Sequence, residues 1–176
     1  LFDNYGSLHD WYERQGWETD FLHYSTPAER VAKSIPANRR ILLIHNVKAT
    51  NEDIATIEQH FTNGVYWVLC PESNRFISRT EPHVETLRNA GVKIAIGTDS
   101  LASARHLSMV ENMRLLGDIP LDELLIWATR NGAEALGLEA SLGDIRVGTS
   151  PGIVVIEDAD LQNMRVTDQT RSRRII

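Results

Sequence analysis

The chain has 176 residues, of which 42% are hydrophobic and 24% charged, values typical of one globular domain with a sizeable core. Its formal net charge of −6 argues against nucleic-acid binding, because phosphates are neutralised by clustered lysine and arginine. No apolar run approaches the roughly 20 residues of a membrane span. The single cysteine, Cys70, excludes an intramolecular disulfide and favours a reducing, cytoplasmic location.

The first 24 residues are rich in aromatic side chains, interrupted by two glycines. We interpret this segment as packing material for neighbouring parts, with a lid or pocket wall as the alternative, and expect a helix around residues 9–15. Thr26 followed by Pro27 is typical of a helix start, with threonine as the cap and proline at the first position. That helix should end before Pro36.

Three apolar runs, residues 41–44, 65–69 and 92–96, predict short strands buried on both faces of a parallel sheet. Apolar residues at helical spacing predict a helix after the first run, capped by Thr50 or Asn51. After the second run we expect a loop to residue 80, then a helix over residues 82–89. Successive strand-then-helix units of this kind indicate an α/β fold with a parallel sheet.

Each of these strands is followed by polar residues that can do chemistry: His45, then Ser73 and Asn74, then Asp99. Right-handed crossovers place the carboxyl ends of parallel strands on one rim of the sheet, where ligand sites of such folds gather. Asp99 could there ligate a metal, act as a base or bind an amine. Alternatively, it could merely cap the helix that follows.

The rest of the chain changes character near Gly143. Before that point we expect three helices, over residues 104–116, 120–130 and 132–136. After it, turn-rich sequence and two candidate strands, residues 153–156 and 173–176, predict a separate β element too short to be stable alone. The one basic cluster is predicted to be a solvated strand face; it consists of Arg171, Arg173 and Arg174.

An ordered set of motifs between about residues 41 and 156 resembles the C-terminal half of the metal-dependent amidohydrolase superfamily. The similar branch contains adenosylhomocysteine/methylthioadenosine, guanine and cytosine deaminases and triazine chlorohydrolases. The matching pieces are Ile44-His45, Cys70-Pro71-Glu72-Ser73-Asn74, Gly97-Thr98-Asp99-Ser100, residues 109–114, residues 128–138 and Leu142-Gly143-Asp144-Ile145.

The resemblance implies part of a (β/α)₈ TIM barrel, with strands six to eight and their helices in residues 1–142. Residues 143–176 would then be the C-terminal part of the small flanking β-sandwich. It implies that Asp99 is catalytic, ligating a divalent metal (zinc, or alternatively iron) and shuttling protons. His45 would be catalytic by orienting the attacking hydroxide or the substrate, while Ser73 and Asn74 would line the substrate pocket.

The sequence also departs from this branch of the superfamily. A full barrel takes about 250 residues, and the chain has neither an early His-x-His strand nor a His-x-x-Glu pair before His45. His9 and His23 fit neither pattern. We therefore expect part of a longer amidohydrolase, with an incomplete metal-ligand set and no activity by itself.

The expected activity of the longer protein is deamination of a nucleoside, nucleobase or similar heterocycle, hence a small-molecule substrate and neither nucleic acid nor membrane as partner. Triazine dechlorination, cyclic amide hydrolysis and a non-enzymatic α/β binding or signalling domain are the alternatives. Exposed sheet edges predict self-association of the isolated chain.

Overall fold

The computed structural model describes residues 5–19 and 24–175. A three-stranded parallel sheet organises the chain, in the order β1 (Ile41–Ile44), β2 (Val65–Leu69), β3 (Ile94–Ile96). The first two strands have the predicted bounds, and the third begins two residues later than predicted. The expectation of an α/β fold built on a parallel sheet is thus confirmed.

The described part of the chain contains eight helices. They are α1 (Ser7–Arg14), α2 (Pro27–Ser34), α3 (Asn51–His60), α4 (Pro71–Ile77), α5 (Val84–Asn89), α6 (Met109–Leu115), α7 (Leu121–Ala128) and α8 (Arg130–Leu136). None of them combines the length and the apolar content that a membrane crossing requires. The predicted cap of α2 is confirmed, since the Thr26 hydroxyl accepts the Glu29 backbone N–H at 3.1 Å. Thr50 caps α3 in a reciprocal capping box with Asp53.

Two helix expectations were wrong. The segment predicted as a loop after β2 contains α4, because Pro71 opens a helix whose buried residues include the polar Ser73 and Asn74. The helix predicted to begin at residue 104 begins at Met109, where the Ser108 hydroxyl accepts a backbone N–H. Asp99 is therefore not the cap of that helix.

The core lies between one face of the sheet and the helices. Trp67 and Leu69 on β2 and Ile94 on β3 are at most 2% exposed and pack with Ile57 of α3 and Leu124 of α7. Each such side chain contributes about 1.5–3 kcal/mol through removal from water.

The opposite face of the sheet is less covered. Leu42 and Ile44 on β1 are 36% and 52% exposed. Among the described strands, β1 and β3 each have one paired neighbour, so each has an open edge.

Of the N-terminal aromatic residues, Phe2 and Phe21 lie outside the described ranges. Those that are described pack partly on one another: Trp11, Tyr12 and Trp17 form a group of edge-to-face rings with centroids 4.9–5.5 Å apart. The expected helix in this region is α1, which begins at Ser7 and ends at Arg14.

The last segment forms an antiparallel hairpin of β4 (Val154–Glu157) and β5 (Arg171–Arg174). The arginines of β5 are exposed, which confirms the predicted solvated strand face. Arg114 of α6 joins this hairpin to the helices. Its Nε donates to the Thr167 carbonyl at 3.0 Å and its Nη2 to the Thr170 carbonyl at 2.9 Å.

Candidate active site

The carboxyl ends of the three parallel strands bring together all four residues singled out in the sequence. His45 directly follows β1, Ser73 and Asn74 lie in the first turn of α4 after β2, and Asp99 follows β3. His45 Nε2 lies 3.7 Å from Asp99 Oδ2, and the Ser73 hydroxyl donates to that same oxygen at 2.6 Å. These four side chains form one contiguous cluster.

One oxygen of the Asp99 carboxylate accepts hydrogen bonds from two hydroxyl groups. Ser103 was missed by the sequence reasoning, and its hydroxyl donates to Oδ2 at 3.0 Å. Ser73 is fully buried and Ser103 is 7% exposed, so both donors are fixed by packing. The hydrogen bond from Ser73 lowers the pKa of the Asp99 carboxyl from its usual value. The hydrogen bond from Ser103 and the charge of His45 lower it further. Asp99 is therefore ionised at neutral pH, and its Oδ1 is engaged by neither hydroxyl.

The imidazole of His45 is oriented by Asn74. His45 Nδ1 lies 2.8 Å from Asn74 Oδ1, and Asn74 is 1% exposed. With the Asn74 amide in this orientation its oxygen accepts, which assigns the proton to His45 Nδ1. Nε2 then faces Asp99 at a separation too long for a direct hydrogen bond, which leaves this nitrogen available to a third group.

The backbone at the cluster is unusual. His45, Asn46 and Asp99 have φ angles of 72°, 47° and 58°, in the left-handed region that most residues avoid. These conformations occur directly after β1 and β3, beside the His45–Asp99 contact. Backbone strain of this kind concentrates at functional sites.

Cys70 lies next to the cluster but is unsuited to nucleophilic chemistry. Burial, together with the negative charge of Asp99, raises the pKa of its thiol to about 11. The thiol therefore stays protonated at neutral pH. The Cys70 sulfur packs closely against Gly97. A Cβ added to Gly97 would lie 3.3 Å from this sulfur, so position 97 favours glycine.

A catalytic zinc ion generally has three protein ligands and a water. Within residues 5–19 and 24–175, one group of three potential ligands has its donor atoms within 4.8 Å of one another: His9, Asp10 and Glu13 on α1. It does not include Asp99, and His23 lies outside the described residues. Asp99, with His45 beside it, thus fits one part of a metal site rather than a complete ligand set.

Parallel strands alternating with helices, with an imidazole and a carboxylate at their carboxyl ends, define an α/β protein with a candidate site where such folds place their ligands. The chain belongs to the amidohydrolase family, whose model matches residues 9–176.

The sequence relatives include deaminases. A 5-methylthioadenosine/S-adenosylhomocysteine deaminase of Moorella thermoacetica is 32% identical over 144 residues, which cover 76% of this chain and 33% of that protein. An adenosine deaminase of Helicobacter pylori is 36% identical over 104 residues, covering 55% of the chain and 25% of the relative. The chain thus spans about a third or less of the length of these two relatives.

Similar solved structures give the same picture. Helicobacter pylori aminofutalosine deaminase in complex with methylthio-coformycin matches with a TM-score of 0.71 and 26% identity, over 85% of this chain and 38% of that one. A Xanthomonas campestris adenosine deaminase with bound zinc matches with a TM-score of 0.66 and 27% identity, over 88% and 35%.

Proposed function

We propose that the amidohydrolase of which this chain is a part hydrolytically deaminates a nucleoside or a related nitrogen heterocycle. The observation that carries the proposal is the approach of His45 Nε2 to Asp99 Oδ2, 3.7 Å apart at the carboxyl ends of two strands that flank β2. The names of the similar proteins, deaminases of adenosine-type compounds, support this substrate class.

In this proposal β1, β2 and β3 are the sixth, seventh and eighth strands of a (β/α)₈ barrel. Residues 1–142 belong to the barrel and residues 143–176 to a small flanking β-sandwich. The parallel order of the strands and the separate antiparallel hairpin after residue 143 support this division.

Asp99 would be a ligand of a divalent metal, which we propose to be zinc because a similar deaminase holds zinc. A bound divalent metal lowers the pKa of water to about 7 and so supplies hydroxide at neutral pH. Further ligands would come from outside the described residues. Asp99 is suited to metal ligation because Ser73 and Ser103 both donate to its Oδ2 and lower the pKa of its carboxyl.

In the proposed deamination step, Asp99 of this chain carries the proton that is transferred from water to the leaving amine. The water oxygen forms a bond to the ring carbon that carries the amine, and Asp99 accepts the released proton. The carbon–nitrogen bond then breaks as Asp99 delivers that proton to the leaving amine, which departs as ammonia. His45, held by Asn74, presents Nε2 to the water or to the substrate throughout.

The test uses the full-length protein encoded by the same gene, loaded with zinc and assayed for ammonia release from 5′-methylthioadenosine, S-adenosylhomocysteine, adenosine and guanine. Asp99→Asn should lower turnover by roughly 10²–10⁴-fold, the usual contribution of a general acid–base group. Asp118→Asn is the control, because this carboxylate is fully exposed and its partner is Arg165.

Equal turnover in Asp99→Asn and Asp118→Asn would contradict the assignment. Release of chloride from a triazine or opening of a cyclic amide, without ammonia, would identify a different amidohydrolase reaction at the same residues. Ligand binding without turnover of any of these substrates would favour a non-enzymatic binding domain. The 176-residue chain by itself is expected to release no ammonia.

A further inference from the structure

Glu72 lies beside the cluster, in the first turn of α4, and its carboxylate reaches the loop that follows β3. Glu72 Oε1 accepts the backbone N–H of Arg105 at 2.8 Å. The other oxygen, Oε2, is buried and has no hydrogen-bond partner within the described ranges. A carboxylate placed in this way is held at a desolvation cost, and its one hydrogen bond fixes a backbone position rather than a side chain.

The backbone that Glu72 holds belongs to the same loop as Ser103. This loop leaves Asp99, whose φ of 58° starts it in a strained conformation, and it returns to regular structure at Met109. Two groups near the middle of this loop donate hydrogen bonds to residues outside it. The Ser103 hydroxyl donates to Asp99 Oδ2, and the Arg105 backbone N–H donates to Glu72 Oε1. Ser103 is also held locally, since its backbone N–H donates to the Ser100 carbonyl at 3.0 Å. The Arg105 contact with Glu72 adds a second anchor two residues further along.

The start of α4 is also hydrogen-bonded to α6. The backbone N–H of Glu72 donates to Asn112 Oδ1 at 3.1 Å, and Asn112 of α6 is fully buried. The next residue, Ser73, donates to Asp99 Oδ2. Glu72 thus adjoins both hydroxyl donors of Asp99: Ser73 is its chain neighbour, and Ser103 lies two residues before the backbone amide that its carboxylate accepts.

We propose that Glu72 is a positioning residue, which holds the loop after β3 against α4 so that Ser73 and Ser103 meet on one oxygen of Asp99. The consequence is a single side-chain rotamer of Asp99, with Oδ2 occupied by hydroxyls and Oδ1 directed elsewhere. The proposal rests on the proposed function for its catalytic meaning. Its geometry can be tested without metal or substrate.

The experiment measures the χ1 rotamer of Asp99 in the isotope-labelled 176-residue chain at pH 7, from three-bond couplings of its Cγ to the backbone N and carbonyl carbon. Three variants are compared with the wild type: Glu72→Ala, Glu72→Asp and Glu72→Gln. Alanine removes the acceptor, aspartate keeps the charge but is one methylene short, and glutamine keeps an acceptor oxygen without the charge.

Glu72→Ala and Glu72→Asp should show averaged Asp99 couplings and roughly 10-fold faster hydrogen exchange of the Arg105 amide, since a hydrogen bond to a charged group has been lost. Glu72→Gln should restore the wild-type couplings. The control is Glu81→Ala, which removes the exposed partner of Arg75 on α4 and should change neither readout.

Wild-type couplings in both Glu72→Ala and Glu72→Asp would overturn the proposal, as would a Glu72→Gln variant as disordered at Asp99 as the alanine variant. If Glu72→Ala does not fold, the aspartate and glutamine variants decide between these outcomes. Absence of deaminase activity in the full-length protein would count against the proposed function and leave the rotamer result standing.

Discussion

The hydroxyl of Ser73 and the carboxylate of Asp99 are joined by a 2.6 Å hydrogen bond that links the ends of β2 and β3. Ser73 has no solvent exposure, so the bond is shielded from competing water on the donor side. It is also the leading cause of the low pKa of Asp99. A neutral side chain on a neighbouring element thus lowers the pKa of the proposed metal ligand.

Replacement of Ser73 by alanine is therefore expected to raise the pKa of Asp99 toward its usual value, although Ser103 still donates. The folded-state pKa of Asp99 lies below the unfolded value, so its stabilisation is present above the unfolded pKa and is lost as pH falls through the folded pKa. In Ser73→Ala the loss still begins near the unfolded pKa, but it is smaller and is complete at a higher pH. A ¹³C titration of the Asp99 carboxyl measures the shift, and an unchanged or lower pKa would contradict it.

A second prediction concerns the proton of His45. Asn74→Ala removes the acceptor of Nδ1, so the imidazole should populate both neutral tautomers, and the free energy of unfolding should fall by about 1–3 kcal/mol because a buried hydrogen bond is lost. Asn74→Asp keeps an acceptor oxygen and should keep the proton on Nδ1. The ¹⁵N shifts of the His45 ring report the tautomer directly. A single Nδ1–H tautomer in the alanine variant would show that Asn74 does not set it.

The attachment of the C-terminal hairpin gives a third prediction. Arg114 is 20% exposed and donates to the carbonyls of Thr167 and Thr170, so Arg114→Ala should lower the free energy of unfolding by about 2 kcal/mol. Arg173→Ala removes an exposed ion pair with Glu157 and should cost less than about 1 kcal/mol. Urea unfolding of the two variants measures the difference. Equal losses would show that the Arg114 contacts contribute little.

The isolated chain is also expected to self-associate. Leu42 lies on β1, whose second edge is unpaired among the described strands, and such edges pair readily with other chains. Leu42→Lys should reduce the association, because a lysine on an edge strand opposes pairing. Sedimentation velocity over a range of concentrations tests both forms. A monomer at every concentration would refute the expectation.

The sequence was sufficient where a physical pattern was continuous. The apolar run over residues 65–69 has one favourable environment, a strand covered on both faces, and the structure places β2 at these residues. The common rim of His45 and Asp99 followed from the handedness of parallel crossovers, which requires no side-chain detail.

The sequence was insufficient where buried positions are polar. In α4 the inward residues include Ser73 and Asn74, so no apolar periodicity marked a helix. Ser103 resembles any loop serine until its contact with Asp99 is seen. Glu72 holds a backbone amide 33 positions away, a pairing that no local pattern encodes.

Helix α6 contains Asn112 and Arg114, two positions apart. Asn112 accepts a backbone N–H at the start of α4, and Arg114 donates to the Thr167 and Thr170 carbonyls before β5. A premature stop codon anywhere between residues 158 and 166 would delete both of those carbonyl acceptors. Because Asn112 of the same helix binds the backbone N–H of Glu72, the loss would extend through α6 to the start of α4, where Ser73 lies. Substitutions in the segment before β5 are therefore expected to disturb the Ser73–Asp99 hydrogen bond, although they lie far from it in the sequence.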